Sequence, residues 1–337
     1  MTTRTEQHSS PPASAGAAVL EVEDLRVHYF TRRGAARAVD GVSFSLKPGE
    51  RLALVGESGS GKTTTGLALI GQIKPPGKVV SGRVLIEGED ILAMSDEERR
   101  TRLLSTVAMV PQGAMNSLNP VIRVRDQVLD GLKDHGEKFS REEGAARVSD
   151  LFRQVGLPPA AASAYPHELS GGMKQRVTIA IAISMNPSVI IADEPTSALD
   201  VVVQRQVVTT LKAVQERIGA AAILIGHDMG LMAQFADRVA IMYGGRLVEV
   251  GLVRDIFHEP LHPYTRLLIS SLPNTLKKRR LEAIPGLPPS LINPPPGCVF
   301  HPRCPRVFDR CRGEEPASLS LARDRRVACH LHDGTQH

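Results

Sequence analysis

The chain has 337 residues, of which 42% are apolar, so it can bury a core larger than one small domain needs. Its apolar runs stay short of the roughly 18 to 20 residues that cross a bilayer, which excludes an integral membrane protein. The 41 Lys and Arg residues exceed the 36 Asp and Glu residues by a mild surplus. This surplus permits nucleotide phosphate, nucleic acid or acidic lipid as a partner. It is more typical of a solvated surface than of a nucleic-acid groove.

Residues 1–18 are rich in Ser, Pro, Ala and Thr. They predict a disordered tail, because such residues cannot offset the entropy lost on ordering. The same stretch lacks the basic and then apolar layout of a secretory signal, so we expect the chain to stay in the cytosol.

From Val19 onward the apolar residues predict regular structure. In two stretches apolar and polar residues alternate, which is typical of half-buried strands. Three short apolar runs lack this alternation, which is typical of strands that helices cover on both faces. The predicted strands span residues 20–29, 38–46, 52–55, 188–192 and 221–225. Helix-compatible stretches over 123–133 and 142–155 indicate a helical insertion. We therefore expect an α/β domain with a parallel sheet and crossover helices.

After about residue 255 proline becomes dense, which predicts extended backbone in a small accessory region with little core of its own. Four cysteines lie in this region, at Cys298, Cys304, Cys311 and Cys329. Their gaps of five, six and seventeen residues differ from the two-to-four gap that is usual for structural zinc. A reducing cytosol argues against disulfides, so a metal site and free thiols both stay open.

A phosphate-binding loop is predicted over residues 56–63, which read G-E-S-G-S-G-K-T. The loop follows the predicted strand 52–55 and precedes a helix-compatible stretch, which is the context that this motif requires. Its backbone N–H groups and the helix start favour an anion, Lys62 reaches the β and γ phosphates, and Thr63 binds Mg²⁺. The candidate nucleotide-binding residues are Gly56, Ser58, Gly59, Ser60, Gly61, Lys62, Thr63 and Thr64.

Two carboxylates follow the predicted strand 188–192, at the strand edge where open α/β sheets bind ligands. Successive residues of a strand point in opposite directions, so the two should have different roles. We assign Asp193 to the Mg²⁺ shell and Glu194 to the polarisation of an attacking water.

In order and spacing, several stretches resemble the motifs of ATP-binding cassette (ABC) ATPases over about residues 19–255. They are Leu169–Arg176 (signature motif), Ala192–Asp200 (second nucleotide motif and D-loop), Ile225–Asp228 (switch-histidine loop), Gln112 (Q-loop) and Tyr29 (adenine contact). The resemblance implies a nucleotide-binding domain over 19–256 with a mixed sheet core, an antiparallel β subdomain and a helical subdomain over about 113–175. A C-terminal extension over 257–337 carries the four cysteines.

The resemblance also implies roles for single residues. His227 contacts the γ phosphate and orients the water together with Glu194, and Gln112 contributes to the Mg²⁺ site. A facing subunit's ATP is bound by the signature residues Ser170, Gly171 and Gly172, with Asp200 at the dimer seam. Tyr29 stacks on adenine, although a strand tyrosine is ordinarily a packing residue.

Three further stretches resemble the dipeptide and oligopeptide importers, a group that includes nickel importers. They are Met115–Pro120, Tyr165–Met173 and His262–Leu268, and Met173 is similar to the D-type subunit. The implied function is MgATP hydrolysis that drives peptide import at the cytoplasmic face of the plasma membrane. The implied partners are an F-type ATPase subunit, two permease subunits and an extracytoplasmic binding protein. A nickel importer is the alternative; a soluble nucleic-acid ATPase fits less well because the chain has one cassette and no long coiled coil.

Some members of this family carry a [4Fe-4S] cluster in the cysteine region. The resemblance therefore implies Cys298, Cys304, Cys311 and Cys329 as cluster ligands, with Zn²⁺ and free thiols as alternatives.

Overall fold

The computed structural model of the protein describes residues 17–113, 117–272, 284–322 and 324–334. Within these residues the strands form two sheets. The strands are β1 (Leu20–Thr31), β2 (Gly34–Leu46), β3 (Arg51–Val55), β4 (Gly77–Ile86), β5 (Glu89–Asp90), β6 (Val107–Val110), β7 (Val189–Asp193), β8 (Ala221–Gly226), β9 (Arg238–Tyr243), β10 (Arg246–Leu252), β11 (Leu319–Leu321) and β12 (Arg325–Val327).

The smaller sheet is antiparallel and has the order β2-β1-β4-β5. The larger sheet is mixed, with the order β11-β12-β10-β9-β3-β8-β7-β6; its segment from β9 to β6 is parallel, and β10, β11 and β12 continue it in antiparallel pairs. The mixed core and the antiparallel β layer expected from the sequence are therefore confirmed.

Strand β3 is buried on both faces, as its unalternating apolar run predicts. Leu52 and Leu54 belong to the apolar cluster shared with the antiparallel sheet, and Ala53 and Val55 belong to the cluster shared with the helices. The sheet is thus the middle layer of the domain.

The helices cover the large sheet and fill the segment between β6 and β7. They are α1 (Lys62–Leu69), α2 (Asp96–Arg102), α3 (Val124–Asp134), α4 (Arg141–Gln154), α5 (Gly171–Ala182), α6 (Val201–Ile218), α7 (Met229–Phe235), α8 (Val253–His258), α9 (Pro263–Ser270) and α10 (Asp309–Gly313). On α3 the apolar residues Val124, Val128 and Leu132 recur every four positions and are fully buried, which gives this helix one core face. No helix in the described ranges is long and apolar enough to cross a membrane.

The proline-rich C-terminal extension differs from the expectation of extended backbone with little core. Phe300 and Tyr264 are fully buried and belong to the main cluster, and β12 pairs with β10 through Glu249–Val327 and Val250–Arg326. The expectation was wrong because a few large side chains, rather than the average composition, determine what this segment buries. The extension shares the core of the nucleotide-binding domain.

This shared core predicts a large effect for Phe300→Ala. Removing a fully buried ring should lower the free energy of unfolding by about 3 to 5 kcal/mol, through lost burial and the cavity that remains. Leu287→Ala is the matched control, because that side chain is 86% exposed and should change stability by less than about 0.5 kcal/mol. Urea unfolding of both variants measures the difference, and equal midpoints would contradict a shared core.

Candidate nucleotide site

The carboxyl ends of three parallel strands meet at one edge of the large sheet. Val55 at the end of β3 pairs with Gly226 on β8, and Asp193 at the end of β7 pairs with Ile225. The residues that follow these strands are therefore neighbours, although they are far apart in sequence. Gln112 reaches the same edge, because it follows β6, which lies parallel to β7. This is the edge at which open α/β sheets bind ligands.

The phosphate loop leads from β3 into α1 and depends on two glycines. Gly61 precedes α1 with φ +103°, and a Cβ there would lie 2.1 Å from the Ala38 carbonyl oxygen. A Cβ at Gly56 would lie 2.2 Å from the Met242 carbonyl oxygen. Glycine is required at both positions because the loop packs directly against neighbouring backbone.

Lys62 lies within this loop and is buried. Its Nζ donates to the carbonyl oxygens of Gly56 and Glu57, both at 2.8 Å. Burial lowers the pKa of Lys62, and the nearby carboxylates of Glu194 and Asp193 oppose that shift. The structure thus places the ammonium group inside the loop, and its contact with phosphate stays a prediction.

Asp193 is buried at the end of β7 and faces the start of α1. The hydroxyl of Thr63 donates to Asp193 Oδ1 at 3.2 Å, whereas Oδ2 has no hydrogen-bond partner among the residues that the structure describes. Burial raises the pKa of Asp193 to about 6, with a further rise from Glu194 and a partial reversal by the Thr63 hydrogen bond and by Lys62. An unpartnered buried carboxylate oxygen beside a hydroxyl is a donor set that suits a hard divalent cation such as Mg²⁺.

Glu194 begins the segment after β7 and has φ +42°, an unusual conformation for a side-chain-bearing residue. The strained backbone is fixed by a hydrogen bond from Glu194 N to the Ile225 carbonyl at 2.9 Å. Gln112 Nε2 donates to Glu194 Oε2 at 3.0 Å, and His227 Nδ1 lies 3.6 Å from Glu194 Oε1. The structure therefore brings the three predicted catalytic side chains together. Strain of this kind is found at functional sites, where the surrounding structure maintains it.

Ser170 and Asp200 lie at the starts of neighbouring helices. Ser170 Oγ accepts from Met173 N at 3.3 Å at the start of α5, and Asp200 Oδ1 accepts from Val202 N and Val203 N at the start of α6. A Cβ at Gly172 would lie 2.6 Å from Val203 Cγ1, so a glycine lets the two helices approach. In the described residues both side chains cap their own helices rather than bonding to the phosphate loop.

Two of the sequence predictions are described only in part by the structure. Tyr29 lies on β1, is half-buried and pairs with Gly77 of β4. A Cβ on Gly77 would lie 2.8 Å from the Tyr29 ring. The contact of Tyr29 with adenine stays a prediction. The stretch Met115–Pro120 lies partly outside the described residues, which omit 114–116.

The cysteines of the C-terminal extension are buried or half-buried thiols. Burial raises the pKa of Cys298 to about 11 and of Cys329 to about 12, and the neighbouring thiols contribute to both rises. The backbones of two of the cysteines are in contact, since Cys298 N donates to the Cys311 carbonyl oxygen at 3.0 Å. Among the described residues, however, no group of three or more His, Cys, Asp or Glu side chains is arranged to hold a metal ion. As placed, the thiols do not fit a coordination set, and the expected [4Fe-4S] cluster is not supported.

Sequence reasoning missed one part of the site. Arg303 in the extension forms an ion pair with Glu57 inside the phosphate loop, and the Tyr264 hydroxyl accepts a hydrogen bond from Glu57 N. Tyr264 lies in a stretch that resembles peptide importers, but a local motif does not reveal a contact across the chain.

Comparison with known proteins agrees with this geometry. The family model described as ABC transporter matches residues 39–197, and the one described as Oligopeptide/dipeptide transporter, C-terminal region, matches residues 248–311. The chain is 44% identical to the dipeptide transport ATP-binding protein DppD of Caldanaerobacter subterraneus subsp. tengcongensis, over 94% of this chain and 97% of the relative. The chain belongs to the ATP-binding proteins of dipeptide and oligopeptide ABC transporters.

Other members of this peptide-transporter family are similarly close. DppD of Escherichia coli is 44% identical over 93% of this chain and 96% of its own length, and the oligopeptide transport ATP-binding protein AppD of Bacillus subtilis is 41% identical over 94% and 97%. Among solved structures, a dimeric ATP-binding cassette in a post-hydrolysis state with ADP and Pi has a TM-score of 0.63 and 27% identity, over 70% of this chain and 99% of that one. The family assignment therefore extends beyond the cassette to nearly the whole chain.

The raised pKa of Asp193 predicts a pH-dependent stability of the nucleotide-free chain. The fold favours the protonated form, so this stability is present below the ordinary pKa of 3.8 and is lost as the pH rises through about 6. Asp193→Asn retains the acceptor for Thr63 without the charge. The variant should melt at a higher temperature than wild type at pH 7 and at a similar temperature near pH 4. A difference that does not change with pH would contradict the shifted pKa.

Proposed function

We propose that the protein is the ATP-hydrolysing subunit of a membrane ABC transporter that imports dipeptides or oligopeptides. One observation carries the chemistry: four separate segments bring five side chains to one edge of the sheet, namely Lys62, Gln112, Asp193, Glu194 and His227. The match to dipeptide and oligopeptide relatives over nearly the full chain supports the peptide class over nickel.

The phosphate loop binds the β and γ phosphates of ATP through its backbone N–H groups and Lys62. Candidate Mg²⁺ ligands are Thr63 and Asp193, with Gln112 completing the set. The ion, when bound, neutralises charge on the phosphate oxygens. Asp193 Oδ2, which has no hydrogen-bond partner in the described part of the chain, supports this assignment.

Glu194 is the proposed general base for the attacking water. Its Oε2 is hydrogen-bonded to Gln112 and its Oε1 lies near His227, so the carboxylate has a defined orientation. Glu194 takes the proton as the water oxygen attacks the γ phosphorus in line, and ADP leaves with the electrons of the broken P–O bond. Positioning and charge stabilisation supply most of the catalysis in this class of reaction.

The signature residues Ser170, Gly171 and Gly172 are proposed to bind the γ phosphate of ATP held by a facing subunit, with Asp200 beside them. Their place at the exposed start of α5 supports this role, since helix N-termini bind anions. ATP then favours a closed dimer, and hydrolysis allows it to reopen.

The facing subunit is proposed to be an F-type ATPase chain, and the dimer to contact two permease subunits fed by an extracytoplasmic binding protein. This arrangement places the protein at the cytoplasmic face of the plasma membrane. We propose the division into a tail (1–18), a nucleotide-binding domain (19–256, with the helical part over about 113–175) and an extension (257–337). Contacts between Phe300 and the domain core join the last two.

Exchange of the base tests the catalytic proposal. Glu194→Gln keeps the shape and the hydrogen bond partner but cannot accept a proton, so steady-state ATPase activity of the reconstituted transporter should fall by roughly 100-fold or more. Binding of MgATP should persist and peptide uptake into proteoliposomes should stop.

Glu216→Gln is the matched control, because Glu216 forms an ion pair with Arg51 at 2.6 Å and its side chain is 56% exposed. Its ATPase rate should equal that of wild type. Undiminished turnover in Glu194→Gln would contradict the general-base role of Glu194. ATP-driven uptake of nickel but not of peptide would contradict peptide as the substrate and assign nickel instead.

A second, separate proposal concerns the cysteines and rests on the family resemblance alone, which suggests a [4Fe-4S] cluster; the described thiols are not arranged to hold a metal ion. Anaerobically purified full-length chain should then contain about four iron atoms per chain and absorb visible light. Cys311→Ser should lose both signals. Stoichiometric zinc without iron would assign a zinc site, and the absence of both metals would leave four free thiols.

A further inference from the structure

Arg303 is one of the most completely hydrogen-bonded side chains in the described structure. Its Nη1 and Nη2 donate to the two carboxylate oxygens of Glu57, at 2.6 and 3.1 Å. Nη1 also donates to the Tyr243 hydroxyl at 3.2 Å, and the remaining hydrogen bonds go to the carbonyl oxygens of Pro285 and Ile284. A guanidinium group has five N–H donors, so every donor of Arg303 has an acceptor.

The acceptor Glu57 is the second residue of the phosphate loop. Both of its ends are held: the carboxylate by Arg303 and the backbone N–H by the Tyr264 hydroxyl, at 2.9 Å. The Arg303 side chain is only 5% exposed and that of Glu57 is 25% exposed, so water screens this pair weakly. The loop is therefore fixed by residues from the C-terminal extension as well as by its own strand and helix.

The two tyrosines that take part in these bonds rest on a rigid aromatic cluster. The ring centroid of Phe300 lies 5.0 Å from that of Tyr243 and 5.4 Å from that of Tyr264, and the two tyrosine rings are 4.6 Å apart. All three side chains are fully buried. Close-packed rings of this kind allow little movement of the tyrosine hydroxyls. The hydroxyls that bond to Glu57 and Arg303 are therefore held in fixed positions.

Charge gives the pair a second effect. Glu57 places a carboxylate next to a loop that binds polyphosphate, close enough to Lys62 for the two to interact electrostatically. An unpaired carboxylate at this position would repel the nucleotide. The bidentate contact with Arg303 neutralises this carboxylate, while Lys62 Nζ bonds to the loop carbonyls.

We propose that Arg303 is a positioning residue of the ATP site, which acts through Glu57 to fix the phosphate loop and to neutralise a negative charge beside the nucleotide phosphates. The inference rests on the proposed function, since it concerns the same loop. It makes the C-terminal extension a part of the nucleotide site rather than an appendage to it.

A double-mutant cycle on the full-length chain tests this inference, with MgADP as the probe because it occupies the loop without turnover. Arg303→Gln leaves Glu57 unpaired and should weaken MgADP binding on the order of ten- to a hundredfold, as misplacement of a binding group does. Glu57→Gln removes the repulsion, so the double variant should bind MgADP more tightly than Arg303→Gln alone. Calorimetric titration measures all four affinities.

Arg310→Gln is the matched control, because Arg310 forms ion pairs with Glu314 and Asp333 inside the extension. Its MgADP affinity should match that of wild type. Unchanged affinity in Arg303→Gln, or a double variant that binds no more tightly than Arg303→Gln, would overturn the inference. A wild-type chain that fails to bind MgADP would instead contradict the proposed function.

Arg303→Lys covers the case in which Arg303→Gln does not fold. Lysine keeps the charge but cannot form the bidentate contact, so the reconstituted transporter should show a several-fold higher KM for ATP with little change in kcat. A variant with wild-type KM would overturn the inference. A purely structural role would lower the amount of active protein, and hence the apparent kcat, without changing KM.

Discussion

The parallel register of β3, β7 and β8 brings the loops that follow these strands together at one edge of the large sheet. Each of those loops contributes a different kind of group: an ammonium in Lys62, carboxylates in Asp193 and Glu194, and an imidazole in His227. A register slip of one residue would turn Asp193 towards the opposite face of the sheet. The ladder pairs of β7 with β6 on one side and β8 on the other fix this register.

The same edge concentrates charge that is costly to bury. Asp193 and Lys62 are both buried here, and Asp193 Oδ2 has no hydrogen-bond partner among the described residues. Buried charges are costly unless they are paired, which agrees with the proposed binding of a magnesium nucleotide at this edge. The domain accepts this cost because the apolar strands around the site hold it in place. In contrast, the charges of Arg303 and Glu57 are paired with each other and need no ligand.

Much of the site could be predicted from the sequence because its parts are local patterns. A glycine-rich loop after an apolar strand, and an acidic pair at the end of another, each specify their own geometry within a few residues. The contact of Arg303 with Glu57 spans 246 residues, and no local pattern indicates it. The close approach of Gly172 to Val203 was equally hidden, because it depends on how two helices pack. The core of the extension was misjudged because proline content outweighed Phe300 and Tyr264 in the interpretation.

The separation of Glu57 and Arg303 has a consequence for biosynthesis. A ribosome makes the phosphate loop 246 residues before it makes Arg303. Partly synthesised chains therefore contain a recognisable loop whose carboxylate has no counter-charge. Such a nascent domain would hold nucleotide more weakly until Arg303 has been synthesised and has docked against the loop.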